Sequence, residues 1–597
     1  MVPDPDYLPN SSKDNDLRDF AEDRSAPGSQ PPRWRMQGGG WRRWGPGLLV
    51  VAVALAGSLS GLRNDYAQDD VPLVFEDPRI HELSAANLKE IFTTSYWPEP
   101  FHRDLYRPFA TLSFAVQWAI GGGQPVVYRL VSYLLYALVS LAVLGLARRL
   151  LPPGVALGVA VLFAAHPVHV EAVALAVNQG EQWVGLLTLI GVTRYLDRRR
   201  AGWLGPRDWT GLGALYLVAC LFKEHAVVMP GLFLAVELAL VAGGLKERVR
   251  RLVPGFLGLA ALGAGFLALR ATVLGNFVGS FTAEALVGQD AGGRALTMLQ
   301  VVPEWLRLLV WPADLQGDYS PGVIEQATTW GVPQTLGILI LGGLVLIGWL
   351  LRERVPAATF GLLWAGVSLV PVSNILMATG IVMAERTLYT PSVGFLLALG
   401  GVVTLLITPQ PGSDRAGVRR VALAGTALLA AAGVVRSGIR HPDWRSQVYY
   451  WAKTVQDAPL SYRAHHAHAQ LLYGLGYEGA SVSAFHTAMA LYPPAWWIRN
   501  ELANRFRYKG ECYPALELYE ESLRISPKQP AVYASRVACL LYLGQYEAAM
   551  AEADRAIAEG APAADFQSYR ATADSAFRVG APPRTVQLSV KDPDERW

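Results

Sequence analysis

Two adjacent carboxylates, Asp69 and Asp70, follow the first strongly apolar segment of the chain after a short polar stretch. Ionisable side chains are costly to place near a lipid bilayer, and those found there commonly mark a functional site. A carboxylate in such a place can take a proton from an incoming hydroxyl group and so act as a general base. We therefore predict that this acid pair marks the place of a reaction.

Three cations in other polar segments have the charge that a phosphate group requires. Arg and Lys at a lipid boundary commonly bind phosphate head groups. We predict that Arg386 and Lys223 bind a donor phosphate, with Arg107 as a third contact. Cations beside a leaving phosphate and a base for an acceptor hydroxyl are together what sugar transfer from a lipid phosphate needs. The placement of charge does not specify the sugar.

Six further polar residues are candidates for the acceptor side of the site: His166, His169, Glu171, Glu224, Glu385 and Tyr389. His166 and His169 are three residues apart, so on a helix they would share a face. Together with Asp70 and Glu171 they are the candidate ligands of a divalent metal ion. Pro167 between the histidines favours a helix end, where both would make structural hydrogen bonds instead. The adjacent Lys–Glu and Glu–Arg residues among the candidates could likewise form internal ion pairs.

The composition places these residues in a membrane protein. The chain has 597 residues, of which 52% are hydrophobic and 17% charged, and a formal net charge of +3 gives no indication of nucleic-acid binding. Apolar runs long enough to cross a bilayer predict a polytopic protein. We predict 11 spans, at about 46–62, 126–148, 154–171, 182–197, 209–223, 225–243, 252–274, 333–351, 357–376, 389–408 and 420–437.

The basic residues support this path through the membrane. From a cytoplasmic N-terminus, Arg and Lys gather in five alternate gaps between spans, beginning with Arg148 and Arg149, as the positive-inside rule expects. The acid pair and the other polar clusters then fall on the outer face. Residues 1–44 are rich in Pro, Gly and Ser, and we interpret them as a disordered cytoplasmic tail. The amphipathic stretch 294–315 is predicted to lie in the outer interface.

A repeat of 34 residues fills the C-terminal part of the chain. Pro459, Pro493 and Pro527 have this spacing, and three glycines share it: Gly476, Gly510 and Gly544. Apolar or small residues fall in register between them: Phe485, Tyr519 and Ala553, then Ala515 and Ala549. This period is typical of tetratricopeptide repeats, which are antiparallel helix pairs. Such arrays form a concave surface, which we expect to bind an acceptor protein or peptide.

The predicted fold class is all-α: a membrane core of about 11 transmembrane helices followed by a tetratricopeptide-repeat α-solenoid. The expected domains are a cytoplasmic tail at 1–44, a transmembrane domain at 45–440, a repeat domain at 441–580 and a C-terminal tail at 581–597. An odd number of spans places the repeat domain on the outer side, opposite the N-terminus.

Several longer strings resemble the transmembrane and tetratricopeptide-repeat (TMTC) family of proteins. They are Pro371–Ile375 with Ala384–Gly394, Tyr106–Pro108, Phe163–Ala172, Lys223–Glu224 and Trp311–Ser320. The strings occur in the family's order and cover the membrane part from about residue 64 into the repeats. The family is similar to the GT-C glycosyltransferases, which include the protein O-mannosyltransferases.

The resemblance implies a GT-C core that uses a lipid-phosphate sugar donor. In such enzymes an acid of the first outer loop is the catalytic base, and Asp69 matches the first acid of that motif and Asp70 the second. Active members mannosylate Ser or Thr of proteins from dolichyl-phosphate mannose. This chain departs in its short repeat array and in the string Tyr66–Asp70, which lacks an aromatic residue just before the acids. Its Arg-rich and Gly-rich composition favours a bacterial source and an undecaprenyl-phosphate type of carrier.

The sequence thus predicts an inverting glycosyltransferase in a bacterial inner membrane, with its repeat domain outside. It would move a sugar, mannose by resemblance, from a polyprenyl-phosphate carrier to Ser or Thr hydroxyls of a protein bound by the repeats. Asp70 would orient the base or help to bind a divalent metal ion, which is the one possible cofactor. Transfer to a lipid or a glycan is the alternative within enzymes. A non-catalytic scaffold that anchors the repeats is the alternative outside them.

Overall fold

The computed structural model describes residues 40–99, 101, 104–242, 244–276, 281–408 and 415–586. Every regular element within these ranges is helical. Residues 1–39 of the predicted N-terminal tail and residues 587–597 of the predicted C-terminal tail lie outside the described residues. The prediction of an all-α protein is therefore confirmed for the described part of the chain.

In the described residues, the membrane part consists of sixteen α-helices joined by short helical turns and loops. In chain order these are α1 (Gly40–Ser58), α2 (Ala85–Thr93), α3 (Pro108–Gly121), α4 (Pro125–Leu150), α5 (Pro153–Ala165), α6 (Val170–Ala174), α7 (Gln179–Ala201), α8 (Pro206–Phe222), α9 (Met229–Ala239), α10 (Leu245–Leu274), α11 (Ala291–Leu299), α12 (Val301–Val310), α13 (Val332–Leu351), α14 (Pro356–Leu369), α15 (Tyr389–Ile407) and α16 (Ala416–Arg440).

Each of the 11 predicted spans coincides with a helix, but not every helix is long and apolar enough to cross a bilayer by itself. Within the described ranges six helices meet that criterion, or seven if α5 and α6 count as one bent span. The two halves of that pair meet at 47°, because Pro167 has no N–H group to continue the helical ladder. The count of 11 spans stays a prediction.

Close helix packing in the membrane core depends on glycine. Helices α14 and α15 cross where Gly361 and Gly394 face each other. A Cβ atom on Gly361 would lie 2.4 Å from the main-chain oxygen of Gly394. Small residues at such crossings let two backbones approach within van der Waals distance. This crossing supports the start of α15, directly after the turn that carries Arg386.

The stretch predicted to be amphipathic forms the two short helices α11 and α12. Their apolar sides pack in a separate core beside the main one, with Met298, Val301 and Leu308 almost fully buried. Other side chains of the same region, such as Trp311, remain exposed. This distribution is that of helices lying along a surface, as the sequence pattern indicates.

Eight further helices follow within the part of the chain that the structure describes: α17 (Gln447–Asp457), α18 (Tyr462–Gly474), α19 (Glu478–Leu491), α20 (Trp496–Tyr508), α21 (Cys512–Ile525), α22 (Pro530–Tyr542), α23 (Tyr546–Ala558) and α24 (Ala563–Arg578). Helices α18, α20 and α22 begin 34 residues apart, as do α19, α21 and α23. The turns between paired helices contain Gly476, Gly510 and Gly544, each at positive φ. Phe485 and Tyr519 are fully buried in the core between the helices. The 34-residue helical period therefore agrees with the sequence, and the assignment to the tetratricopeptide class stays a prediction.

Candidate active site

The second acid of the pair, Asp70, is locked into the protein core. Its carboxylate accepts hydrogen bonds from both terminal nitrogens of Arg129, each at 3.1 Å, and both side chains are completely buried. Two main-chain N–H groups, those of Ala176 and Val177, donate to the same carboxylate at 3.1 and 2.9 Å. Arg129 also donates to the main-chain oxygens of Ala174 and Asp65. Asp70 thus joins the loop after α1 to the segment between α6 and α7.

The first acid, Asp69, is in a different environment. It is partly exposed, and no described residue donates a hydrogen bond to its carboxylate. Burial by the surrounding protein raises the pKa of Asp69, while the nearby Arg386 opposes that rise and Asp70 and Glu171 add to it. A carboxylate with free lone pairs and a raised pKa can accept a proton from an incoming group.

The backbone before Asp69 is held in an unusual conformation. Gln68 has a φ of 53°, in the left-handed region that side-chain-bearing residues rarely adopt. Its N–H group donates to the side-chain oxygen of Gln447 on α17, and the N–H of Asp65 donates to the main-chain oxygen of Arg445 at 3.1 Å. A short π-helical turn, Val71–Phe75, follows directly. Strain of this kind persists only where surrounding contacts fix it, and it recurs at functional sites.

Arg386 is held beside Asp69 by Glu171. The guanidinium Nη1 of Arg386 and its main-chain N–H both donate to the Glu171 carboxylate, the latter at 2.8 Å. Glu171 lies on α6, just after the bend at Pro167, and Arg386 lies in the helical turn Glu385–Leu388 that precedes α15. Among the described residues, none accepts a hydrogen bond from Nε or Nη2 of Arg386. This cation can therefore bind a further anion without losing its carboxylate.

Lys223 occupies a similar position at the C-terminal end of α8. Its Nζ atom lies 2.7 Å from Oε1 of Glu181, and His225 lies 3.4 Å from the other oxygen of the same carboxylate. Glu181 is in the first turn of α7, four residues after Val177, whose N–H binds Asp70. Only one of the three Nζ–H groups of Lys223 has an acceptor within the described residues. Lys223, one of the predicted phosphate ligands, is thus paired with a carboxylate but still has N–H groups that can bind a further anion.

The third predicted cation, Arg107, forms a bidentate ion pair with Glu224. Nε and Nη2 of Arg107 lie 2.8 and 2.5 Å from the two carboxylate oxygens. Although burial opposes ionisation, Arg107 holds the pKa of Glu224 well below its usual range. The guanidinium group also lies over the ring of Tyr96, 5.1 Å from the ring centre. Arg107 is therefore more fully engaged than Lys223 or Arg386.

These groups act on one another electrostatically. The charges of Arg386, Glu171 and Arg107 act on the carboxylate of Asp69, and the charge of Arg386 interacts in turn with that of Glu181. Lys223 is influenced by Arg107 and Arg386. The structure thus links Asp69 electrostatically, directly or through a neighbouring charge, to residues from four separate segments of the sequence. The set contains the predicted base and all three predicted phosphate cations.

The two histidines predicted for the acceptor side both make hydrogen bonds within the protein. His166 Nε2 lies 3.1 Å from the main-chain oxygen of Leu309, and its Nδ1 accepts from the N–H of Val168. His169 lies between the hydroxyl groups of Tyr136 and Ser392, at 3.0 and 2.8 Å. Both rings are almost fully buried. The structural reading of these histidines, which the intervening proline favours, agrees with these contacts.

Glu385 and Tyr389 are also buried. Glu385 accepts from the N–H of Gln316 at 2.5 Å and from the hydroxyl of Tyr319 at 3.3 Å, with Arg440 3.8 Å away. It therefore ties the turn before α15 to the loop after α12 and to the end of α16. The hydroxyl group of Tyr389 has no hydrogen-bond partner among the described residues, and its ring packs against His169.

The four side chains predicted as metal ligands are each engaged elsewhere. Asp70 binds Arg129, Glu171 binds Arg386, and the two histidines have the partners given above. Across the described ranges, no group of three or more His, Cys, Asp or Glu side chains has the geometry to hold a metal ion. The structure gives the metal prediction no support, and it stays a prediction.

Arg129 is a residue of the site that the sequence does not identify. It is completely buried near the start of α4, a helix of 26 residues whose other charged side chains, Arg148 and Arg149, lie in its last turn. A charged side chain inside a membrane helix is costly unless it is paired, so its presence alone indicates a partner. That signal was available in the sequence, but the partner's identity was not. Glu181, which pairs with Lys223, and His225, which contacts Glu181, are further site residues for which the sequence predicts no specific role.

Sequence comparisons support the resemblance that the motifs indicate, although no family model matches the chain. Over 479 residues it is 23% identical to protein O-mannosyl-transferase F38B6.6 of Caenorhabditis elegans, covering 78% of this chain and 65% of that protein. It is 24% identical to protein O-mannosyl-transferase TMTC3 of Mus musculus, covering 67% of this chain and 46% of that protein. The chain thus spans about half to two thirds of the length of these relatives.

Among solved structures, the chain is similar to ArnT from Cupriavidus metallidurans, determined with bound undecaprenyl phosphate. The match has 15% sequence identity and a TM-score of 0.40, and it covers 84% of this chain and 81% of that one. The named relatives by sequence confirm that the chain resembles the TMTC protein O-mannosyltransferases.

Proposed function

We propose that this protein is an inverting glycosyltransferase that moves a sugar from a polyprenyl-phosphate carrier to a Ser or Thr hydroxyl of a protein. The observation that carries the proposal is the state of Asp69. Its carboxylate is partly exposed, accepts no hydrogen bond from the described residues, and lies beside a cation with free N–H groups. The names of the relatives make mannose the sugar to test first.

In the proposed reaction Asp69 takes the proton of the acceptor hydroxyl. The hydroxyl oxygen attacks the anomeric carbon and forms the new C–O bond with inversion. The bond between that carbon and the phosphate oxygen breaks, and the polyprenyl phosphate leaves with the electron pair. General-base catalysis by a positioned carboxylate is typically worth about 10²- to 10⁴-fold in rate.

Arg386 and Lys223 would stabilise the charge that develops on the leaving phosphate. Each has N–H groups without a protein acceptor in the described structure, whereas Arg107 is bound bidentately by Glu224. We therefore rank Arg107 below the other two as a direct phosphate ligand. Preorganised donors of this kind stabilise the transition state more than the ground state, because the phosphate group carries more negative charge in the transition state.

Asp70 is assigned a positioning role. Its four hydrogen bonds to Arg129 and to the main chain before α7 fix the loop that carries Asp69. The contacts support loop positioning and do not require a metal ion. This assignment keeps the prediction that Asp70 orients the base.

The repeat helices would bind the acceptor protein and raise its concentration near the site. The contact between Gln447 and the N–H of Gln68 supports this arrangement, because it joins α17 directly to the loop of Asp69. Ser461, at the start of α18, also donates to Asp318 at 2.7 Å. We further propose that the site and the repeats lie on the outer side of a bacterial inner membrane, with the domain limits given by the sequence.

A transfer assay tests the proposal. Purified protein is incubated with a polyprenyl-phosphate mannose and a secreted acceptor protein, and the acceptor's intact mass is measured. A hexose adduct with the wild type, and its loss with Asp69→Asn, is the expected result. A glycolipid product without a protein adduct would instead assign the enzyme to lipid acceptors. Absence of any product from every donor tested would favour the scaffold alternative.

A further inference from the structure

The short connection between α16 and α17 runs alongside the loop that carries Asp69. The side chain of Asn64 donates a hydrogen bond to the main-chain oxygen of His441 at 2.7 Å. The N–H of Asp65 donates to the main-chain oxygen of Arg445 at 3.1 Å. Both acceptors belong to the main chain, so a change of side chain in the connection does not remove them.

The side chain of Gln447, the first residue of α17, makes a further contact with this loop. Its carbonyl oxygen accepts a hydrogen bond from the N–H of Gln68, directly before Asp69. The N-terminal cap of α17 is Ser446, whose hydroxyl oxygen accepts from the N–H of Tyr449 at 3.3 Å. The side-chain oxygen of Gln447 therefore binds the loop, and the capping of its own helix does not depend on it.

Gln68 is the residue at which this contact has the largest effect. Its φ of 53° lies in the left-handed region, which is unfavourable for a residue with a Cβ atom. Its main-chain oxygen accepts from the N–H of Val71 at 3.2 Å, and the main-chain oxygen of Ala67 accepts from the N–H of Asp70 at 3.1 Å. A change of φ at Gln68 would therefore rotate the turn on which Asp69 lies.

We infer that Gln447 is a positioning residue, whose side chain holds Gln68 in the left-handed conformation and thereby orients the carboxylate of Asp69. The inference rests on the proposed function, in which Asp69 is the base. On the other side of Asp69 the loop is fixed by the buried pair of Asp70 and Arg129. The orientation of the base thus depends on the first of the C-terminal helices as well as on the membrane part.

A double-mutant cycle tests the inference. Gln447→Ala removes the acceptor, and Gln68→Gly removes the need for it, because glycine adopts a positive φ without steric cost. The side-chain oxygen of Gln68 has no partner among the described residues, so Gln68→Gly breaks no hydrogen bond of that group. The matched control is Gln456→Ala, the same change at an exposed position of the same helix. Transfer kinetics and thermal unfolding are measured on the full-length protein in detergent.

We expect Gln447→Ala to lower kcat by roughly three- to tenfold, the range that loss of one hydrogen bond produces, with both KM values and the unfolding temperature unchanged. In the Gln68→Gly background the same change should lower kcat by less than about twofold. Gln456→Ala should have the kcat of the wild type. An equal loss of kcat in both backgrounds, or a rise only in the KM for the acceptor protein, would overturn the inference.

Hydrogen exchange separates this inference from the proposed function. The exchange rate of peptides that contain Gln68, measured by mass spectrometry on the same variants, reports the contact with Gln447 without any need for sugar transfer. Exchange should be faster in Gln447→Ala and unchanged in Gln456→Ala. Faster exchange in Gln447→Ala, together with a wild type that transfers no sugar, would refute the proposed transferase and support the hold of Gln447 on the loop. Unchanged exchange in Gln447→Ala would overturn the inference whatever the activity.

Discussion

Asp69 and Asp70 are adjacent, yet replacing Asp69 by asparagine should reduce activity, whereas replacing Asp70 should reduce stability. Asp69→Asn removes the proposed base but no described hydrogen bond, so transfer should fall by about 10²- to 10⁴-fold while thermal stability is unchanged. Asp70→Asn leaves Arg129 buried without its counter-ion. Removing one partner of a buried ion pair typically costs about 3–5 kcal/mol, a large part of the stability of a folded protein.

The contacts of Asp70 account for the size of that loss. Its two oxygens receive four N–H groups, all within 3.1 Å. An asparagine has one acceptor oxygen, and its NH₂ group would face N–H donors. At least one buried donor then loses its acceptor, at about 1–3 kcal/mol, in addition to the unpaired charge of Arg129.

Two measurements on the same purified variants separate these effects. Thermal unfolding in detergent reports stability through tryptophan fluorescence, and intact-mass analysis of the acceptor protein reports transfer. Asp65→Asn is the matched control, because Asp65 is an exposed carboxylate of the same loop. Full transfer activity of Asp69→Asn would refute the role of Asp69 as the base. An unfolding temperature of Asp70→Asn equal to that of the wild type would refute the structural role of Asp70.

Three further predictions concern the surroundings of this pair. Arg107 lowers the pKa of Asp69 and Glu171 raises it. In pH profiles of kcat/KM, Arg107→Gln should therefore move the acid limb to higher pH, and Glu171→Gln should move it to lower pH. Shifts in the opposite directions would contradict this. Gly361→Leu should prevent the crossing of α14 and α15, because even a Cβ atom would overlap the facing backbone, and size-exclusion profiles should show loss of folded protein. Arg463 on α18 pairs with Glu284, before α11, at 2.6 Å. Arg463→Ala should therefore increase proteolysis near α17 without changing donor binding. Unchanged proteolysis would mean that this pair does not hold α18 against the segment before α11.

The sequence predicts helices and repeats well because their signals are local. Apolar runs and the 34-residue period of glycines identify elements that form from neighbouring residues. The buried positions of Phe485 and Tyr519 follow directly from that register. The number of spans is harder to predict, because α5 and α6 are interrupted by Pro167, and hydropathy alone does not separate a broken span from two elements.

The candidate site could be predicted only in part, because its pairs join distant segments. Charge and position identify Asp69, Lys223 and Arg386 as candidates. The partner of each cation is more than 40 residues away in the sequence: Glu181 for Lys223 and Glu171 for Arg386. Sequence adjacency suggests that Lys223 pairs with Glu224, which is wrong. The backbone at Lys223 is extended, so neighbouring side chains point in different directions, and Glu224 pairs with Arg107. Only the fold shows which carboxylate each cation contacts.

These pairings change the expected role of the cations. Each of the three has a carboxylate partner of its own, so the three cations do not form a positive pocket. The carbon–oxygen bond to a lipid-linked sugar breaks by leaving an additional charge on the phosphate. In the proposed reaction Arg386 and Lys223, whose remaining N–H groups have no acceptor in the described structure, would respond most to that additional charge, whereas the paired carboxylates would limit their attraction for the uncleaved donor. Interactions that strengthen as the bond breaks raise the rate more than interactions that bind substrate and transition state equally.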